Sequence, residues 1–237
     1  MSNREIVEKI LKNYKPNELI IASYFYEKYC AKYMAETAFY KTIQRLCESE
    51  VLTPLARGIY CKTLKNNLGI IPPSTNQIVE TFTKNNKGLV VGYTLFNHLK
   101  LTTQISKTVM VYSSAFKEEK KKIGIVYLFK INTKITRGTM AIIQMLEVLE
   151  HFNEIQDLDI RAFLSYCEQF SKKYNDDDCK IVLSSLKYLK RTIAFLKAIL
   201  DYNDVPNNLS SYLSNLSTYS FPSIEELYEL ARTPKRI

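Results

Sequence analysis

The chain of 237 residues has a formal net charge of +9, is 46% hydrophobic and 24% charged, and contains only 6 Gly and 7 Pro. Its length suits one large domain or a small module followed by a larger one, and the composition excludes a disordered chain. No apolar run approaches the ~20 residues that cross a bilayer, and Met1-Ser2-Asn3-Arg4-Glu5 opens into amphipathic helix without a signal-peptide core, so the expectation is a cytoplasmic protein with no membrane partner.

The fold class expected is α+β and mostly helical: a winged helix-turn-helix over 1–64, a basic domain with a small sheet over 68–137, and a helical C-terminal part over 138–237 packed with the preceding domain. Residues 3–14 place Ile6, Val7, Ile10, Leu11 and Tyr14 at helical spacing behind a Ser2/Glu5 capping box. Lys15-Pro16-Asn17 ends that helix. Leu19-Ile20-Ile21 reads as a short extended entry to a second helix capped by Ser23. A third helix, Ala35 to Ser49, sets Ala35, Phe39, Ile43 and Leu46 on one stripe and Thr37, Lys41, Gln44 and Glu48 opposite. Val51 to Lys62 alternates around Pro54 and Arg57-Gly58 as a hairpin. Three helices followed by a hairpin is the order of a winged helix.

Beyond a polar linker at Lys65-Asn66-Asn67, Pro72 to Gln77 starts a capped helix with Ile78 and Phe82 inward. Gly88–Gly92, Thr108–Tyr112 and Ile123–Phe129 are β-rich runs, with a helix at Tyr93–Lys100 and a turn at Leu101–Ser106. The remainder reads as helical at Thr139–Phe152, Ile160–Tyr174, Asp177–Tyr202, a short Ser/Leu-rich piece near 208–217, and Pro222–Arg232, the last with a Ser223/Glu226 capping box, while the Ser- and Asn-rich stretch 207–220 suits a loosely packed connection.

Charge is uneven along the chain. Ten basic residues face seven acidic ones in 1–62, twelve face three in 63–140, and eleven face fourteen in 141–237. A basic middle third suits nucleic acid, because each phosphate neutralised releases counterions, and equally suits a solvated basic surface.

Little in the sequence suggests catalysis, and the expectation is a protein that is not an enzyme and needs no cofactor or metal. His98 and His151 are the only histidines and read as structural. The five cysteines (Cys30, Cys47, Cys61, Cys167, Cys179) lack disulfide or zinc spacing and read as reduced core thiols. No glycine-rich phosphate cradle occurs, so ATP or dinucleotide binding by those routes is excluded. Asp157-Leu158-Asp159 resembles a Mg²⁺-binding carboxylate pair but reads as a helix cap, and Asp176-Asp177-Asp178 suits the start of the next helix.

In a helix-turn-helix the third helix enters the major groove. Thr37, Tyr40, Lys41, Gln44 and Arg45 stand where base and backbone contacts are made, and Arg57 at the hairpin tip can reach phosphate or the minor groove. Lys117, Lys120, Lys121 and Lys122 either touch phosphates or solubilise a turn between strands. Glu36 and Glu48 near the same helix would repel phosphate.

The stretches Phe39-Tyr40-Lys41-Thr42-Ile43-Gln44-Arg45-Leu46, Arg57-Gly58-Ile59-Tyr60, Ile71-Pro72-Pro73-Ser74 and Leu101-Thr102-Thr103-Gln104-Ile105-Ser106, taken in that order, resemble AbiEi-type antitoxins of type IV toxin-antitoxin (abortive infection) systems over roughly residues 1–135. The resemblance implies a transcriptional repressor of its own operon, active in phage defence, that binds double-stranded operator DNA through a winged helix. It also implies a nucleotidyltransferase-like toxin encoded nearby. It supports Lys41, Gln44, Arg45 and Arg57 as DNA contacts. Binding as a homodimer on an inverted repeat is expected. The rival reading is a winged-helix protein-interaction module without DNA-binding activity.

Overall fold

A computed structural model describes residues 1–214 and 216–232. The protein is an α+β, mostly helical chain, with ten α-helices and nine strands among the described residues.

Helix α1 (Asn3–Leu11) starts with the Ser2/Glu5 capping box and stops earlier than its periodicity suggests. Lys62 explains the stop: its Nζ donates to the Leu11 carbonyl at 3.0 Å and the Tyr14 carbonyl at 2.7 Å, satisfying acceptors that another helical turn would have used. Strand β1 (Leu19–Ile21) leads into α2 (Ala22–Phe25), which continues as a π-helical turn over Tyr26–Cys30. Ser23 does not cap this helix; Ile21 is its N-cap and supplies no side-chain bond. Helix α3 (Glu36–Glu48) buries Phe39, Thr42, Ile43 and Leu46, while Ala35, expected on the inner stripe, is exposed as the N-cap. The hairpin of β2 (Leu52–Ala56) and β3 (Ile59–Lys62) joins β1 in a three-stranded antiparallel sheet of order β1-β3-β2.

Alternation along those strands gives the sheet two buried faces. Ile20 and Leu52 enter the core formed by Val7, Phe25, Phe39 and Leu46, whereas Leu19 and Ile59 enter a second core with Ile78, Phe82, Val111 and Leu128. The hairpin is therefore packed on the following part of the chain.

The segment expected to be a plain linker contains a small hairpin, β4 (Lys65–Asn66) and β5 (Gly69–Ile70). Helix α4 (Thr75–Thr83) begins with a Ser74/Gln77 capping box. Next come β6 (Gly88–Val91), α5 (Tyr93–His98), β7 (Val109–Ser113), β8 (Lys120–Ile123) and β9 (Val126–Lys130), whose four strands form a sheet of order β6-β7-β9-β8, with β7 and β9 parallel. The run expected as one strand over Ile123–Phe129 is divided by a turn at Gly124-Ile125, where Gly124 has φ 56°. Lys120 to Lys122 are thus strand residues and not a turn.

One face of this sheet, with Val90, Val111 and Leu128, meets α4 and the first sheet; Leu89, Val91, Met110 and Tyr112 on the other meet the C-terminal helices. These are α6 (Arg137–Glu150), α7 (Ile160–Ser171), α8 (Asp176–Ser185), α9 (Lys190–Tyr202) and α10 (Ile224–Arg232). The long helix expected over Asp177–Tyr202 is two helices. Ser184 and Ser185 hydroxyls bond back to carbonyls in their own turn, Leu186 is extended, and the Glu150 carboxylate receives Leu189 N at 3.2 Å and Thr192 Oγ1 at 2.5 Å, capping α9 from α6. The 207–220 connection is anchored by Leu209, buried in the helical core, although Asn215 lies outside the described residues.

Candidate nucleic-acid interface

Thr37, Tyr40, Lys41, Gln44 and Arg45 are all exposed on α3, opposite the buried stripe that fixes the helix against α1. Gln44 is not free to read a base without rearranging, because its Nε2 donates to Glu48 Oε1 at 3.2 Å. Arg57 is exposed at the turn between β2 and β3, where Gly58 takes φ 74°, a left-handed conformation that favours glycine.

The four lysines divide by face. In β8, Lys121 stands opposite Leu128 and points toward the first sheet, where its Nζ donates to the Arg57 carbonyl at 2.7 Å and pairs with Glu118. Burial alone would raise the Glu118 carboxyl, but hydrogen bonds from Lys121 and backbone amides hold it below the usual carboxylate range. Lys117 pairs with Glu27 of the π-helical turn, and that hydrogen bond, reinforced by the Glu27 charge, raises its ammonium above the ordinary lysine value. Tyr40 lies in the field of the same charges. Its hydroxyl is raised by burial first and then by Glu36, with Lys117 acting in the opposite direction.

Tyr40 of α3, Lys117, Lys121 and Arg57 are therefore brought into one neighbourhood, from segments up to 81 positions apart (Tyr40 to Lys121). Lys120 and Lys122 are not part of it. They occupy the other face of β8, where Lys120 lies 5.6 Å from the Tyr127 ring centre and 5.2 Å from that of Phe129, and Lys122 5.0 Å from Tyr127. Sequence reasoning missed Glu27 and Glu118, the carboxylates that partner Lys117 and Lys121. Glu118 was visible three positions before Lys121, whereas Glu27 had no local signal.

The carboxylates considered for metal binding serve as local anchors. Asp159 caps α7 by accepting Ala162 N at 3.0 Å, and Asp157 accepts Gln104 Nε2 at 2.5 Å. Asp176 accepts the Tyr174 hydroxyl and both amide groups of Asn208. No group of three His, Cys, Asp or Glu able to hold a metal occurs among the described residues, and no helix there is long and apolar enough to cross a membrane. The Thr102-Thr103-Gln104 turn is held by partly buried hydrogen bonds: Thr102 Oγ1 donates to the Gln156 carbonyl at 2.6 Å and accepts Gln104 N at 3.1 Å.

Fold and surface together define an α+β chain with polar and charged side chains gathered where a helix, a hairpin turn and a sheet edge meet. A family model matches residues 5–165, and the chain belongs to that family, DUF6088, described as a family of unknown function. No curated protein matches the chain.

Proposed function

We propose that the chain is a DNA-binding transcriptional autorepressor and the antitoxin of a type IV toxin-antitoxin system. The observation that carries the DNA-binding reading is the Lys121 to Arg57 hydrogen bond, which sets the hairpin turn against the basic strand beside α3. The order α1, β1, α2, α3, β2, β3, with β3 central in its sheet, supports reading α3 as the recognition helix and β2–β3 as the wing of a winged helix-turn-helix. Thr37, Lys41 and Gln44 would then read base edges, while Tyr40, Arg45 and Arg57 bind backbone. Antitoxin action against a nucleotidyltransferase-like toxin, and a cytoplasmic place of action in phage defence, rest on the resemblance to AbiEi-type antitoxins. The reading assigns the chain no catalysis.

The test is fluorescence anisotropy with the chain's own upstream duplex and a scrambled duplex over roughly 50 to 200 mM salt. Tighter binding to the upstream duplex, weakening linearly in log–log salt, is expected; equal affinity for both duplexes would refute operator recognition. A specific observation favours a second reading, a protein-interaction module: Glu27, Glu36 and Glu118 stand among the cations of the same surface and partly neutralise it. Absence of DNA affinity at low salt together with a co-purifying partner is its signature.

A further inference from the structure

A second concave surface lies where the N-terminal part meets α4. It is a cleft of about 480 Å³, lined on one side by residues from Tyr14 to Phe25 and on the other by residues from Gln77 to Lys87. That volume is within the ~300–1,000 Å³ range of small-molecule sites. Its lining combines cations, flat rings and amides with two carboxylates, Glu18, which accepts the Lys15 backbone N at 2.8 Å, and Glu80.

Three ammonium groups belong to it: Lys15, Lys84 and Lys87. Lys84 has a loose partner in Glu80 at 3.7 Å, but Lys15 and Lys87 have no carboxylate partner among the described residues. Lys87 instead lies 5.6 Å from the ring centre of Tyr24, and Lys28 approaches the same ring to 5.6 Å. That ring is 52% exposed and offers a stacking surface beside two positive charges. Amide groups complete the cleft. The Gln77 Oε1 is occupied by Ser74 N, which leaves its NH₂ for another acceptor, and Asn85 is held at φ 57° in the turn after α4. Beneath them Asn17 is 5% exposed and its Oδ1 has no hydrogen-bond partner.

We propose that this cleft binds a nucleotide, with phosphates at Lys15, Lys84 and Lys87 and the base against Tyr24. Lysine side chains replace the glycine-rich backbone cradle that the sequence lacks. The site is distinct from the α3 surface, and its occupant would bridge the N-terminal part and α4.

The experiment uses the full chain without DNA, so its outcome is independent of operator binding. AMP, ADP, ATP, GMP, GDP and GTP are each titrated by calorimetry and by thermal unfolding, with inorganic pyrophosphate as the ring-free comparison. At least one nucleotide should bind, raise the melting temperature, and do so more tightly than pyrophosphate. The double variant Lys84→Gln/Lys87→Gln should weaken it at least ~10-fold, about the effect of one lost charge-assisted hydrogen bond. Tyr24→Ala should weaken it as well and Tyr24→Phe should not. All three side chains are exposed, so the variants should retain the wild-type circular dichroism. The proposal is overturned by any of three results: no nucleotide response at millimolar concentration, binding indifferent to the lysine variants, or pyrophosphate binding as tightly as every nucleotide.

Discussion

The Lys121 ammonium and the Arg57 carbonyl are 2.7 Å apart across 64 positions of sequence, and this bond fixes the tip of the β2–β3 hairpin to the edge strand β8. Lys121→Met keeps most of the aliphatic stem and removes the donor. It should cost about 1 kcal/mol in denaturant titration, the usual net value of a hydrogen bond, and speed amide exchange at the turn. Unchanged exchange at Gly58 would mean that the turn is held by other contacts.

On the proposed function, the α3 and hairpin variants should separate by kind. Lys41→Ala with Gln44→Ala should reduce the preference for operator over scrambled DNA, each lost base contact costing about 1–3 kcal/mol. Arg57→Ala should weaken all duplexes alike and lower the salt slope by ~1. If the two variants gave the same pattern, the division between reading and anchoring residues would be wrong.

Glu147 makes stability depend on pH. It is 3% exposed among the helices, where burial raises its carboxyl above the usual range despite hydroxyl hydrogen bonds from Tyr112 at 3.0 Å and Tyr188 at 3.1 Å. The folded state then holds the proton more firmly than the unfolded chain. Its contribution is full below the unfolded carboxylate pKa and is lost as pH rises through the elevated folded value. Glu147→Gln keeps an acceptor for both tyrosines and cannot ionise, so stability should fall less with rising pH than in the wild type. Parallel curves from roughly pH 4 to 8 would count against this account.

What could be read in the sequence was what its own neighbours decide. The Ser2/Glu5 and Ser74/Gln77 boxes form as their spacing requires, and Ser223 N and Glu226 N each find the other's side chain. The exposed set on α3 follows from a helical period that the core obeys. The break between α8 and α9 was hidden because its cap comes from Glu150, 39 positions before Leu189. The lysine run looked like a turn because three consecutive charges resemble solvent-exposed loop. In β8 they alternate, one toward the hairpin and two over aromatic rings. The surface joining Tyr40, Lys117, Lys121 and Arg57 was illegible for the same reason: tertiary contacts made it.

Two glycines should respond differently to alanine. A Cβ at Gly88 would lie 2.1 Å from the Tyr112 carbonyl oxygen and 2.7 Å from that of Phe82, both backbone, so Gly88→Ala should cost about 3 kcal/mol by denaturant titration. At Gly138 the obstacle is the end of the Asp178 side chain, 1.8 Å away, which can swing aside. Gly138→Ala should stay within about 1 kcal/mol of the wild type, the better helix propensity offsetting the shift. Equal losses at the two sites would show that Asp178 cannot move.

The three-stranded sheet has a bearing on how the molecule can be dissected. Leu19 and Ile59 are covered by side chains from residues 78–128, so a fragment ending at residue 64 would carry a bare oily face into water. Such a fragment should elute as an aggregate or a self-associated species in size-exclusion chromatography, and any affinity for duplexes measured on it would report stickiness in place of recognition. Stopping after the second sheet would only move the problem, because Leu89, Val91, Met110 and Tyr112 are covered in turn by the C-terminal helices, so the faithful unit for such work includes those helices.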